Sequence, residues 1–199
     1  MRALYLTHPQ VMIDPAIAVP HWGLSPEGRA RAEAFAARGV VPAHAVVFAS
    51  EERKALELAT IVSSDRDVRI DPALGENDRS ATGYLPGDQF EAMADRFFAA
   101  PELSAEGWER ALDAQARIVA AVTRALASVA SERPVVFCGH GAVGTLLKCH
   151  IGGRAIARSE DQRRLGHPGG GNCFAFTLEP PQLGSDWRAM EDAAPGWFS

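Results

Sequence analysis

Short apolar runs separated by helical patterns organise the chain. The first lies within Met1 to Pro9 (MRALYLTHP) and predicts a buried strand ending at Thr7, His8 and Pro9. Ala45 to Ala49 (AVVFA) and Pro134 to Cys138 (PVVFC) repeat it, Asp67 to Asp71 is a poorer strand, and Asn172 to Leu178 (NCFAFTL) is the last. Ser25-Pro26-Glu27 opens a helix with a capping serine, a proline at the first helical position and an acid in the first turn. That helix should run to about Arg38, with Gly39 closing it. Ser50 reads as the N-cap of a second helix through about Ser63, which places Arg53 in its first turn. Asp88 to Ala99 and Glu106 to Ala130 read as further helices, the longer carrying a stripe of Trp108, Leu112, Gln115, Val119, Val122, Leu126 and Val129. Gly139-His140-Gly141 leads into another helix near Ala142. Strands and helices in this order indicate an α/β fold, a three-layer α/β/α sandwich on a mostly parallel sheet of five or more strands.

At 199 residues the chain suits one domain spanning its whole length. With 47% hydrophobic and 23% charged residues it has the composition of a soluble globular protein. A formal charge of −5 argues against a nucleic-acid or anionic-membrane partner, while leaving room for a small phosphorylated ligand in a local pocket. No run approaches the ~18 apolar residues of a membrane span. Cys138, Cys149 and Cys173 show no zinc or disulfide spacing, so reduced thiols in the cytoplasm are expected, with no metal and no cofactor. Oligomeric state is not legible.

Two histidines at strand ends, His8 and His140, are the candidate reactive groups, because parallel strands gather such residues at one sheet edge. Arg53 in a helix's first turn opposes the helix dipole by roughly 0.3 to 1 kcal/mol unless an anion sits there. Its plain alternative is a solvated pair with Glu57 at i+4. The polar segment Gly75 to Gly87 brings Glu76, Asp78 and Arg79 close together, either as a functional loop or as solvated surface. Gly139 to Gly144 fits G-x-G-x-x-G, but it follows the fourth strand and no strand carries Asp161 to a ribose. A thiol-phosphatase loop starting at Cys138 needs an arginine where Gly144 stands, and no G-x-S-x-G elbow is present.

The surviving set, LTHP, LSPEGRARA, ASEERKALELA, the acid in LGEND and VVFCGHGAVGTLL, resembles the histidine phosphatase superfamily with its phosphoglycerate mutase-like fold. The resemblance spans about residues 1 to 178. It implies that His8 attacks phosphorus as the neutral imidazole to give a phosphohistidine. Thr7, Arg53 and His140 would hold the phosphoryl oxygens, and Glu76 would act as general acid with Asp78 in reserve. Three positions depart from the family pattern: Thr7 stands for an arginine, Pro9 for a glycine and Asp14 for an asparagine. A missing preorganised donor costs roughly a hundred- to a thousandfold in rate, unless Arg79 or another cation replaces it. The expected function is therefore phosphomonoester hydrolysis with an atypical phosphate pocket. The alternatives are a non-catalytic relative that binds a phosphorylated ligand or a protein, and mutase-type phosphoryl transfer. Substrate choice would fall to the loops Gln10 to Trp22, Gly75 to Asp88 and Ile151 to Gly171, with His21, His167, Arg79 and Tyr84 as possible lining residues.

Overall fold

The computed structural model describes residues 2–64 and 68–196. In chain order they form β1 (Ala3–Thr7), α1 (Pro26–Ala37), β2 (Val46–Ala49), α2 (Arg53–Ser63), β3 (Val68–Ile70), α3 (Gly87–Ala99), α4 (Ala111–Ala127), β4 (Val135–Gly139), α5 (Gly141–Ile151), α6 (Gln162–Leu165), β5 (Asn172–Leu178), β6 (Pro181–Leu183) and β7 (Arg188–Ala189). The sheet runs β3-β2-β4-β1-β5-β6, with β7 also on β5. Strands β3, β2, β4 and β1 are parallel, and β5 adds to β1 antiparallel. Both faces are covered, which is why β1, β2 and β4 read as continuous apolar runs. Tyr5, Phe48, Phe137 and Phe174 face α3, α4 and α5. On the opposite face Leu4, Leu6, Val47 and Val136 pack on Ala32 and Phe35 of α1 and Leu58 and Val62 of α2.

Several expectations shift. Ser50 does not cap α2: the N-cap is Glu52, without a side-chain cap bond, and the Ser50 hydroxyl instead accepts the Glu52 N–H at 3.3 Å. The long helix begins at Ala111 and not at Glu106, because Glu106 and Gly107 both take positive φ, 51° and 86°, and turn the chain sharply. Its buried face is Ala111, Ala114, Ile118, Ala121, Val122 and Ala125, mostly alanines that let α4 lie close to α5, while Leu112 is exposed. The tail after Leu178 holds β6 and β7, strands too short to carry a readable alternation. Asp67, expected to start the third strand, lies outside the described residues. No helix among the described residues is long and apolar enough to cross a membrane.

The segment after β1 is an Ω-shaped loop. A bridge between Val11 and Leu24 closes its neck, and the Trp22 indole fills it, donating to the carbonyls of Asp14 and Ile17 at 2.9 Å each. Tyr84, from the loop preceding α3, rests edge-on against Trp22 with ring centroids 5.4 Å apart.

Candidate active site

Strands β2, β4 and β1 are neighbours and parallel, and the first residues past their ends are Ser50, His140 and His8. Register sets His8 level with His140 and Ser50 one residue short of them, since Thr7 pairs with Gly139 and Ala49 with Cys138. The sheet thus delivers three polar side chains to one edge.

His8 is clamped through its backbone: its N–H donates to the Gly139 carbonyl and its carbonyl accepts the Gly171 N–H, both at 3.0 Å. The ring Nδ1 lies 2.9 Å from the Pro9 carbonyl. A carbonyl only accepts, so Nδ1 carries the proton and Nε2 keeps its lone pair. Burial, followed by His140 and Lys54, pushes the ring's pKa down to about 3, which holds it neutral at physiological pH.

His140 faces it with ring centroids 5.3 Å apart and planes at 70°. This ring is fully buried, with Nε2 2.7 Å from Ser50 Oγ and 3.3 Å from Glu52 Oε1. The carboxylate favours a proton on Nε2, and Nδ1 is left buried without a partner. Burial lowers the pKa of His140, opposed by Glu52 and Glu76. Ser50 and Glu52 meet the same ring nitrogen, whereas a serine-hydrolase triad needs the serine nucleophile and the orienting acid on opposite nitrogens of the histidine. Ser50 therefore orients His140.

The glycines around His140 have a physical reason unrelated to dinucleotides. The Tyr5 hydroxyl accepts the His140 N–H at 3.1 Å and donates to its carbonyl at 3.2 Å, so Tyr5 braces the turn directly. A Cβ on Gly139 would come 2.4 Å from that hydroxyl, and one on Gly144 would come 2.5 Å from the Tyr5 ring.

Glu76 reaches the start of α5, where Oε2 accepts the Ala142 N–H at 3.2 Å and Oε1 the Val143 N–H at 3.1 Å. Burial alone would raise its pKa, but Arg79, His140 and the Val143 amide hold it below its ordinary value. Glu52 accepts the Glu76 backbone N–H at 3.0 Å and pairs with Lys54. It too is held low, at about 2: burial opposes this, and His140 and Lys54 prevail. The charged groups acting on His140 are thus two carboxylates, Glu52 and Glu76, and two cations, Lys54 and Arg79.

His8, His140 and Glu76 come together as the sequence leads one to expect; two other expected ligands do not join them. Thr7 is fully buried, its hydroxyl donating to Gln162 Oε1 at 2.7 Å and accepting the Asn172 N–H at 2.9 Å, so its single proton has another use. Arg53 is 63% exposed and pairs with Glu57 at 2.8 Å, alongside Arg29, in a shallow groove that also holds His21. The neighbouring Lys54 is the buried cation, donating to the Val19 carbonyl at 3.0 Å. Helical periodicity carries the signal for this: Lys54, Leu58 and Val62 lie on the buried stripe, and Arg53 and Glu57 lie outside it. Asp78 is exposed and accepts the Ser80 N–H at 2.8 Å, and Asp14 turns back to accept the Ala16 N–H at 2.9 Å. His167 Nδ1 accepts the Gly169 N–H at 3.0 Å. Among the described residues no three His, Cys, Asp or Glu side chains are grouped to hold a metal ion.

The model of the histidine phosphatase superfamily, branch 1, matches residues 18–176, beginning after His8. A mycobacterial glucosyl-3-phosphoglycerate phosphatase in complex with inorganic phosphate superposes with a TM-score of 0.73 at 22% identity, covering 96% of this chain and 98% of that one. The same mycobacterial enzyme with VO3 gives 0.74 at 24% identity, covering 94% and 99%. Bacillus stearothermophilus YhfR gives 0.72 at 21% identity, covering 92% and 93%. At these identities the likeness is one of fold. No curated protein sequence matches the chain.

Proposed function

Because the chain belongs to the histidine phosphatase superfamily, we propose that it hydrolyses a phosphomonoester through a covalent phosphohistidine on His8. One observation carries the reading: the lone pair on His8 Nε2, fixed by the Nδ1–H···O contact to Pro9, beside the unpartnered Nδ1 of His140. In the first step Nε2 bonds to phosphorus, and the bond to the leaving oxygen breaks, its electron pair going to that oxygen together with a proton from Glu76. The imidazolium formed keeps its Nδ1–H on the Pro9 carbonyl. Water then attacks phosphorus, the Glu76 carboxylate takes its proton, and the P–N bond breaks with its pair returning to Nε2. With substrate bound, the neutral His140 ring carries its proton on Nδ1 and donates it to a phosphoryl oxygen, while its Nε2 accepts the Ser50 hydroxyl proton.

Glu76 is ionised in the free protein, so its proton must arrive with the substrate. A phosphomonoester monoanion carries one, its second pKa lying near ~6. This favours turnover on the acid side of neutrality, where His8 is still neutral.

A second reading, a non-catalytic binder of a phosphorylated ligand or protein, is favoured by the balance of two carboxylates against two cations at His140 and by the engaged hydroxyl of Thr7. Turnover of an aryl phosphate by wild type and by His8→Ala, with both shown folded by circular dichroism, separates the two. The phosphatase reading expects turnover that disappears in the variant; its survival in His8→Ala rules out the covalent route.

A further inference from the structure

The two histidines need a cation for the phosphoryl charge, and most candidates are engaged elsewhere. Lys54 is held by the Val19 carbonyl and Glu52, and Arg53 by Glu57 on the exterior. Arg79 is placed differently. Its guanidinium lies over the rings of Phe90 and Trp108, 5.2 and 5.5 Å from their centroids. The Trp108 ring is itself fixed by its N–H, which donates to Thr82 Oγ1 at 2.8 Å. The backbone beneath is fixed as well, since the Thr82 and Gly83 amides return to the Arg79 carbonyl at 3.2 and 3.1 Å.

The nearest acid is Glu76 Oε2 at 3.8 Å, too far for a hydrogen bond. Among the described residues no hydrogen bond engages the guanidinium donors, and the side chain is 21% exposed. Two aromatic faces therefore hold a planar fork in place while its N–H groups stay open. An arginine needed only to brace the loop would have carbonyl or carboxylate oxygens on those donors, as Arg117 has from Ala73, Gly75 and Glu109.

We propose that Arg79 is the phosphoryl-binding arginine of this site, moving its fork from the Glu76 carboxylate onto the oxygens of a phosphoryl group lying between His8 and His140. The proposal rests on the phosphatase reading for where that group sits. It makes binding and protonation one event: the anion draws Arg79 from Glu76, and a carboxylate losing its cation beside an arriving anion takes up a proton more readily. The donor missing at Thr7 is then supplied from a different loop.

The test is the affinity of the full chain for inorganic phosphate, measured by calorimetry and by the phosphate-dependent rise in melting temperature. Arg79→Gln should weaken phosphate binding about tenfold or more. Arg79→Lys should fall between it and wild type, because a point charge replaces a bidentate fork. Glu76→Gln should tighten binding by removing the competing carboxylate. A bracing role alone would lower the ligand-free melting temperature of Arg79→Gln and leave phosphate affinity unchanged, which overturns the proposal, as does a wild type that shows no phosphate binding. If Arg79→Gln fails to fold, equal affinity in wild type, Arg79→Lys and Glu76→Gln overturns it instead. Phosphate binding needs no turnover, so loss of affinity in Arg79→Gln without any phosphohistidine would leave this proposal standing and remove the phosphatase reading. A labelled His8 with unchanged affinity would do the reverse.

Discussion

His8 and His140 follow the ends of adjacent parallel strands, one residue beyond the paired Thr7 and Gly139, yet they are wired in opposite senses. In His8 the protein binds Nδ1 and leaves Nε2 open; in His140 it binds Nε2 and leaves Nδ1 open. His8 is only half-buried and meets a backbone carbonyl, which fixes its tautomer without adding charge. His140 is fully buried and meets a carboxylate, which supports a proton on the ring. Equivalent positions in the sheet thus carry differently wired rings, a nucleophile and a donor under the proposed mechanism, the difference coming from the loops: Pro9 beside one ring, Ser50 and Glu52 beside the other.

The largest expected effect breaks the first half of this pair. His8→Ala should lower aryl phosphate turnover by roughly 10⁴-fold or more, as removal of a covalent nucleophile does, with folding unchanged by circular dichroism. His140→Gln should cost roughly a hundred- to a thousandfold in kcat, the loss of one preorganised donor to the developing charge. Ser50→Ala sharpens the comparison, since it removes the bond that orients His140 and, with it, only the longer bond from the Glu52 N–H. Losing a buried neutral hydrogen bond of about 1 kcal/mol should slow turnover several-fold and leave labelling of His8 intact.

Acid stability gives a smaller effect with a definite sign. The folded pKa of His8, about 3, lies below its ordinary value of 6.5, so the unfolded chain binds the proton first. His8 therefore contributes stability above pH ~6.5 that is lost as pH falls toward ~3. His8→Asn should flatten the urea-midpoint-versus-pH curve across that window, and an unchanged slope would contradict the burial argument. The smallest effect is expected at Arg53. Removing its exposed pair with Glu57 should change stability by about 0.5 kcal/mol or less in denaturant titration and leave turnover alone.

Much of this arrangement is legible in the sequence. Apolar runs at 45–49, 134–138 and 172–178 became strands because both sheet faces are covered, and the Ser25-Pro26 start of α1 held because its signal is local. The errors arose where a long-range partner decided the outcome. Thr7 was expected to face an anion, and Gln162 and Asn172 took its hydroxyl from more than 150 residues away. At the start of α2 the first-turn position points to Arg53, whereas the buried stripe through Leu58 and Val62 selects its neighbour Lys54. Tyr5, which explains the spacing of Gly139 and Gly144, looks like any strand residue until its hydroxyl is seen across the turn it braces. His8 itself precedes the stretch matched by the family model, and its position at the end of β1 and the LTHP resemblance are what point to it.

The central claim is that His8 attacks through Nε2, and phosphorus NMR of the denatured, alkali-stabilised phosphoryl protein addresses it most directly. The two phosphohistidine isomers resonate separately. A single signal from the Nε2 isomer, present in His140→Gln at reduced yield and absent in His8→Ala, is the predicted result. A label on Nδ1, a label that maps to His140, or none in a wild type that turns over an aryl phosphate would contradict the account.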